Sequence, residues 1–189
     1  MKVDGGLMGD LAKSVASAKR LESIGFDGAI TAETSHDPFF PLLLAAQETE
    51  KIELVTSIAV AFARTPMNLA NIGHDLNSFS KGRFVLGLGS QIRPHITKRF
   101  SMPWSRPAAR MREFILAMRA IWDNWHEGKA LEFAGKFYTH TLMTPFFTPS
   151  CNDFGAPKVF LAAVGPKMTE VAGEVADGMI VHAFTTEKY

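Results

Sequence analysis

Apolar runs of strand length alternate with segments of helical period along the 189-residue chain, and that alternation leaves few folds open. Val3 to Leu7 reads as a short strand. Leu11, Val15, Ala18, Leu21 and Ile24 then recur at helical spacing, with Asp10 as N-cap and Gly25 as the stop. "FDGAITAE" (26–33) predicts a second strand and "PFFPLLLAAQETEK" a helix packed on a sheet. "IELVTSIAVAF" (52–62) predicts a third, near-continuous strand of the kind buried on both faces. Thr65 and Pro66 supply an N-cap and a first-turn proline for a helix whose buried stripe is Leu69, Ile72, Leu76 and Phe79. "RFVLGLG" (83–89) is the fourth strand, and its loop runs to Pro107. The next helix puts Met111, Phe114, Ile115, Met118, Ile121, Trp122 and Trp125 on one face and ends at Gly128. Residues 127–157 break the rhythm as an irregular excursion, with a small hairpin around Gly135. "KVFLAAVG", "PKMTEVAGEVAD" and "GMIVHAF" resume it as strand five, its helix and strand six.

Strand and helix in this order predict an α/β fold with a parallel sheet, either doubly wound or closed as a barrel. A (β/α)8 barrel has eight strands and about 250 residues. Six strands therefore predict an open sheet or part of a barrel. A 47% hydrophobic composition suffices for a core in one domain, residues 1–189. Twenty basic against nineteen acidic side chains, with no long run of one sign, argue against a nucleic-acid partner. No window approaches the roughly 18 uninterrupted apolar residues of a membrane span, and "MKVDGGLMGD" lacks the apolar stretch of a signal peptide. The single cysteine, Cys151, excludes an internal disulfide and fits a reducing compartment, so a cytoplasmic protein is expected.

A Gly-x-Gly after a strand, here Gly87 and Gly89, suggests a dinucleotide fingerprint, but the third glycine position is Ile92 and Pro94 follows in place of a helix. The pyrophosphate reading is poor. The six histidines, at 36, 74, 95, 126, 140 and 182, show no His-x-His, so no catalytic metal is expected. Cys151 has no local basic group to activate it, and His182 reads as a satisfied core histidine near the end of strand six.

Four stretches, "GFDGAITAETSHDPF", "TSIAVAFARTPMNLA", "SKGRFVLGLGSQ" and "VFLAAVGPKMTEVAGEVADGMIVHAF", resemble the luciferase-like flavin and deazaflavin oxidoreductases, in that family's order and over essentially the whole chain. "GLGSQIRPHITKRFSMPW" resembles the branch that uses coenzyme F420, a deazaflavin hydride carrier. The resemblance implies a (β/α)8 barrel with an excursion before strand five, of which about six of eight βα units are present. It implies an oxidoreductase passing a hydride between F420 and a small organic substrate. An FMN-dependent monooxygenase is the alternative cofactor reading.

In a parallel barrel, function collects at the C-terminal ends of the strands. Four such ends carry candidates. His36, in "ETSHDPFF", is the candidate proton carrier, since imidazole exchanges protons near neutral pH, and Glu33 is the second catalytic candidate. The resemblance implies a non-proline cis peptide between Ser57 and Ile58 against the cofactor ring. Arg64, just beyond, either binds an anion or pairs with a surface carboxylate. Gly89 removes a side chain where a flat ring approaches the backbone, and Ser90 and Gln91 can offer it hydrogen bonds. His95 lies further out as a rim residue. At Ala163, Val164 and Gly165, a strand end followed by Pro166 presents free helix amides to an anion, which the resemblance assigns to the cofactor's ribityl and phosphate portion. A reading of a different class is an inert barrel fragment: six strands of an unclosed barrel leave two edges unpaired, which favours a homo-oligomer.

Overall fold

The computed structural model describes residues 1–7 and 9–186. Strands β1 (Asp4–Gly6), β2 (Gly28–Thr31), β3 (Glu53–Thr56), β4 (Ala59–Val60) and β5 (Phe84–Gly89) alternate with helices α1 (Ser14–Ser23), α2 (Phe39–Glu48) and α3 (Pro66–Phe79). Helix α4 (Pro107–Glu127) follows, then an antiparallel hairpin of β6 (Phe133–Ala134) and β7 (Thr139–His140). The chain returns through β8 (Lys158–Ala162), α5 (Pro166–Val175) and β9 (Gly178–Ile180). The main sheet is parallel in the order β1-β2-β3-β5-β8-β9, with β4 paired to β5 as a continuation of β3. Among the described residues no pairing joins β1 to β9. The sheet is an open part-barrel.

Because side chains alternate across a strand, the register divides the sheet into two faces. Ala29, Leu54, Phe84, Leu86, Leu88, Val159 and Leu161 line up on one, all essentially inaccessible and packed against the helices. Met111, Phe114, Ile115, Met118, Ile121, Trp122 and Trp125 of α4 meet them as expected from their spacing, and Trp122 Nε1 donates to Ala70 O at 3.1 Å, so its indole is buried without an orphan donor. The opposite face is sparse: Gly6, Gly28, Gly87, Gly89 and Gly178 share it with Ile30, Val55, Val85, Phe160 and Ile180.

The helix stops match their sequence signals. Asp10 accepts from Ala12 N–H at the head of the first helical turn, Thr65 caps α3 through Asn68 N–H, and Gly25 and Gly128 hold positive φ where α1 and α4 end. Three expectations need correction. The run 52–62 is not one strand: it breaks after Thr56, resumes for two residues and closes in a short helical turn at Ala61–Ala63. Phe79 is half exposed because α3 ends there and turns it past the sheet, and Leu11 and Ile24, at the very ends of their helical segment, are exposed for the same reason. The loop after β5 contains a π-helical turn, His95–Arg99, that buries Ile96.

Two devices fix the N-terminal ends of the strands. Asp27 and Asp177, each followed by glycine, bond the start of the preceding strand in the same manner. Asp27 accepts from Val3 N–H at 2.7 Å and Asp177 from Val159 N–H at 2.8 Å, while their own amides donate to Val3 O and Val159 O. Arg83 is the second device. Its guanidinium donates to Ser80 O, Ile52 O, Ala46 O, Thr49 O and Thr49 Oγ1, tying the ends of α2 and α3 to the start of β3.

Candidate functional site

All four candidate segments lie at the C-terminal end of the sheet, because parallel strands send their following loops to one rim. Neighbouring loops are bonded to each other. Ser57 N–H donates to Thr31 O at 2.6 Å, Glu33 N–H to Ile58 O at 3.1 Å, and Ala163 N–H to Ile180 O at 3.1 Å. The peptide bond between Ser57 and Ile58 is cis.

His36 stands exposed at the tip of the loop after β2, beside a small cavity of about 120 Å³ lined by Leu7, Thr31, Ala32, Ser35, Asp37 and Pro41. The loop beneath it is tightly built. Thr31 Oγ1 donates to Pro38 O at 2.8 Å across its base, and Asp37 accepts from Phe39 N–H at 2.8 Å to start α2. Glu33, 9% exposed, is held by its own chain through one oxygen: Oε2 accepts from Val60 N–H and from Arg64 Nη1, both at 2.7 Å. That placement makes it an anchor between β2 and β4, with no free carboxylate edge on Oε2 for a substrate proton. Arg64 also reaches Asp37 Oδ2 at 3.1 Å and lies over the Phe39 ring, so it is neither a surface pair nor an open anion site. Arg99 donates to Thr34 O from the other side.

The bare end of β5 is used by the protein itself. A Cβ at Gly87 would overlap the Thr56 carbonyl oxygen, and one at Gly89 would lie 2.8 Å from Ile58 Cδ1. Gly89 thus makes room for the Ile58 side chain, not directly for a ligand, and Ile58 stays half-buried over it. Ser90 Oγ donates to Gln91 O and Gln91 Oε1 accepts from Ile92 N–H, so both residues spend bonding capacity on their own turn. Gln91 holds φ 58° there.

At the fourth strand end Ala163 is buried, Val164 is exposed and Gly165 is the N-cap of α5. The α5 N-terminus carries no side-chain cap, and nothing lies within 4 Å of where a Gly165 Cβ would stand. A cleft of about 690 Å³ opens here, between the starts of α4 and α5, lined by Arg106, Pro107, Ala108, Gly165, Pro166 and Met168. It shares no lining residue with the cavity under His36.

His95 is exposed on the π-helical turn, as a rim residue would be. His182 is exposed beside Phe184, not in the core, because β9 has already ended at Ile180. Cys151 Sγ donates to Trp125 O at 3.1 Å. Among the described residues no three His, Cys, Asp or Glu side chains converge on a metal position, and no helix is long and apolar enough to cross a membrane. The parts that sequence reading missed are Arg99 and the joint grip of Arg64 on Glu33 and Asp37. These contacts span 27 to 65 residues and leave no local pattern.

The sequence profile of the luciferase-like monooxygenases matches residues 2–189. The chain belongs to the luciferase-like monooxygenase family. Within this family an uncharacterized Mycobacterium tuberculosis protein is 58% identical over 189 residues, which is all of this chain and 56% of that protein. The chain spans about half the length of the curated relatives it matches. Two solved structures share its fold. Monooxygenase RslO1 from Streptomyces bottropensis superposes with a TM-score of 0.83 at 23% identity, covering 100% of this chain and 62% of that one. The coenzyme F420 dependent tetrahydromethanopterin reductase from Methanopyrus kandleri does so at 0.76 and 22%, covering 96% and 55%.

Proposed function

We propose that this chain carries the cofactor-facing strand ends of an oxidoreductase that passes a hydride between coenzyme F420 and a small organic substrate. The observation that carries the reading is the rim itself: His36 on a braced loop, bonded through Glu33 to the Ser57–Ile58 segment, with the open α5 N-terminus on the same end of the sheet.

The residues present fit a phosphate-bearing deazaflavin or flavin. Gly165 leaves open space where a side chain would stand, and the first turn of α5, which has no side-chain cap, presents the positive end of its dipole; Pro166 has no N–H and Met168 N–H donates to Gly165 O at 3.0 Å, so Lys167 supplies the first-turn amide without a bond inside the helix. Ala163, Val164 and Gly165 would hold the ribityl and phosphate portion; Ile58, supported from behind by Gly89, would support the ring. Ser57, Ser90 and Gln91 would sit beside it, Ser90 and Gln91 with part of their bonding capacity spent on their own turn. A deazaflavin supplies the carbon that takes or gives the hydride. The protein's part is a proton: one ring nitrogen of exposed His36 delivers or removes it, while Glu33 holds the loop in place through Val60 N–H and Arg64. That division gives Glu33 a positioning role in place of the catalytic one expected from sequence.

A second reading is favoured by the open edges of β1 and β9 together with exposed Met179 within β9 and Val181 just after it: the chain self-associates without turnover. One experiment separates the readings. The chain is titrated with F420 and with FMN by fluorescence while its size is followed by light scattering. F420 binding that weakens in Val164→Asp supports the proposal. Binding of FMN alone would assign the monooxygenase chemistry instead, and an oligomer that binds neither would establish the inert reading.

A further inference from the structure

We infer that Arg99 holds an anionic group of the substrate, so that the small organic substrate carries a carboxylate or a phosphate; this rests on the proposed function and names the substrate class for it. The charge distribution is the starting point. No Asp or Glu stands between Asp75 and Glu113, and the loop after β5 exposes Arg93, His95, Lys98 and Arg99 on one short turn. The acids of the neighbouring loop, Glu33 and Asp37, are already taken by Arg64. Among the described residues no carboxylate lies within ion-pair distance of Arg99. Its hydrogen-bond acceptor among them is a neutral one, Thr34 O. Arg64, Arg112 and Arg119 each face a carboxylate, and Arg83 spends its guanidinium on several buried acceptors, so Arg99 differs from all four.

This cation is held in place. Wholly buried Ile96 pins the turn, Phe100 N–H donates to His95 O at 3.0 Å, and Met102 N–H donates to Ile96 O at 2.9 Å. The guanidinium carbon lies 4.8 Å from the Phe100 ring centroid. The N–H groups that Thr34 does not use belong to a planar fork, which matches the paired oxygens of a carboxylate or phosphate. Thr34 also fixes where the fork stands: it lines the same cavity of about 120 Å³ as His36, the candidate proton carrier. At ~30 Å³ per water that is room for about four waters, enough for an oxyanion and the carbon that bears it. The carboxylate of Asp37, which also lines the cavity, is offset by Arg64 at 3.1 Å. The cleft at Gly165 proposed for the cofactor's phosphate shares no lining residue with this cavity, which assigns the anion beside His36 to the substrate.

The test titrates the full chain with glycolate, with inorganic phosphate and, as the uncharged control, with glycolamide, following the Thr34, Ser35 and Arg99 resonances by NMR at fixed pH and ionic strength. Glycolate and phosphate move them saturably, and glycolamide does not. Arg99→Gln weakens both anions at least about tenfold, as expected where a charge-assisted hydrogen bond is lost. Arg99→Lys keeps the charge without the fork and falls between. Lys98→Gln, its neighbour on the same turn, changes the affinity only slightly, as a screened surface charge does. Equal shifts with glycolamide, an unchanged affinity in Arg99→Gln, or an equal loss in Lys98→Gln overturns the inference. If Arg99→Gln does not fold, native affinity in Arg99→Lys overturns it alone. Repeating the titration with F420 present identifies the source of the anion: simultaneous binding supports the substrate, and competition overturns that assignment. Loss of the proposed function shows separately, as failure of the native chain to bind F420 with the anion affinities untouched.

Discussion

Gly87→Ala and Gly89→Ala place the same methyl group two residues apart on β5, yet the structure sets their costs far apart. At Gly87 the new Cβ overlaps the backbone carbonyl of Thr56, which has no rotamer to yield. β3 must move away from β5 there. The move breaks two buried bonds, Gly87 N–H to Thr56 Oγ1 at 2.9 Å and Thr56 Oγ1–H to Gly87 O at 2.8 Å. Three buried groups, Gly87 N–H, Gly87 O and Thr56 Oγ1, lose their partners, each at about 1–3 kcal/mol, so a loss of at least about 3 kcal/mol follows. That is a large share of the roughly 5–15 kcal/mol a domain possesses. At Gly89 the obstacle is the end of the Ile58 side chain, 2.8 Å away. Turning it off its preferred rotamer costs about 0.5–1.5 kcal/mol. Urea denaturation followed by circular dichroism reads both values. Gly89→Ala should stay cooperative with a loss near 1 kcal/mol, and Gly87→Ala should lose at least about 3 kcal/mol or its transition altogether. If Gly89→Ala costs as much as Gly87→Ala, the account of what occupies the end of β5 is wrong. Under the proposed function, Gly89→Ala, though stable, displaces Ile58 and should weaken F420 binding.

Glu22 anchors the turn before β3, its Oε1 accepting from Lys51, Ile52 and Glu50 N–H at 2.7, 3.0 and 3.0 Å. Burial acts to raise this carboxyl, but the three amides and Arg83 outweigh it and hold it below its ordinary value. A depressed carboxyl stabilises the fold above its unfolded pKa of about 4.5 and loses that contribution as pH falls through the folded value. Glu22→Gln should therefore lower the urea midpoint at pH 7, and the gap to the native chain should narrow as pH falls below about 4.5; a constant gap would refute the assignment. His126 is lowered by burial and by His74, whose ring centroid is 5.3 Å away. A lowered imidazole contributes fully above its unfolded pKa, about 6.5, and loses that contribution as pH falls through the folded value. Between pH 7.5 and pH 5 the native chain should lose stability that His126→Gln retains, and proteolysis should begin near Asn152, whose Nδ2 meets His74 Nδ1 at 3.3 Å. Equal pH dependence in both proteins would refute it.

The alternation of strand and helix was legible because each element advertises itself locally: the α4 stripe from Met111 to Trp125 is buried throughout, and Gly25, Thr65 and Gly128 stand at the helix boundaries they signal. The break in the third apolar run was not legible from hydrophobicity. Its residues remain largely buried on both sides of Ser57, so burial does not mark the change of direction. The Asp-Gly pairs at 27–28 and 177–178 are a readable signal, an acid placed to catch the amide of the neighbouring strand. Gly89 was read as space for a ligand because a sequence shows that a side chain is missing, never what fills the gap. Glu33 and Arg64 are strand-end residues whose partners come from other βα units, so only the assembled sheet reveals that each neutralises the other.

Arg83 sits at the opposite rim from His36, and its five bonds hold helix ends and a strand start without touching any loop of the candidate site. The Arg83 knot therefore holds one rim of the sheet independently of the loops at the other. A chain organised this way can exchange its upper loops, and with them its choice of substrate, while the knot underneath keeps the architecture intact.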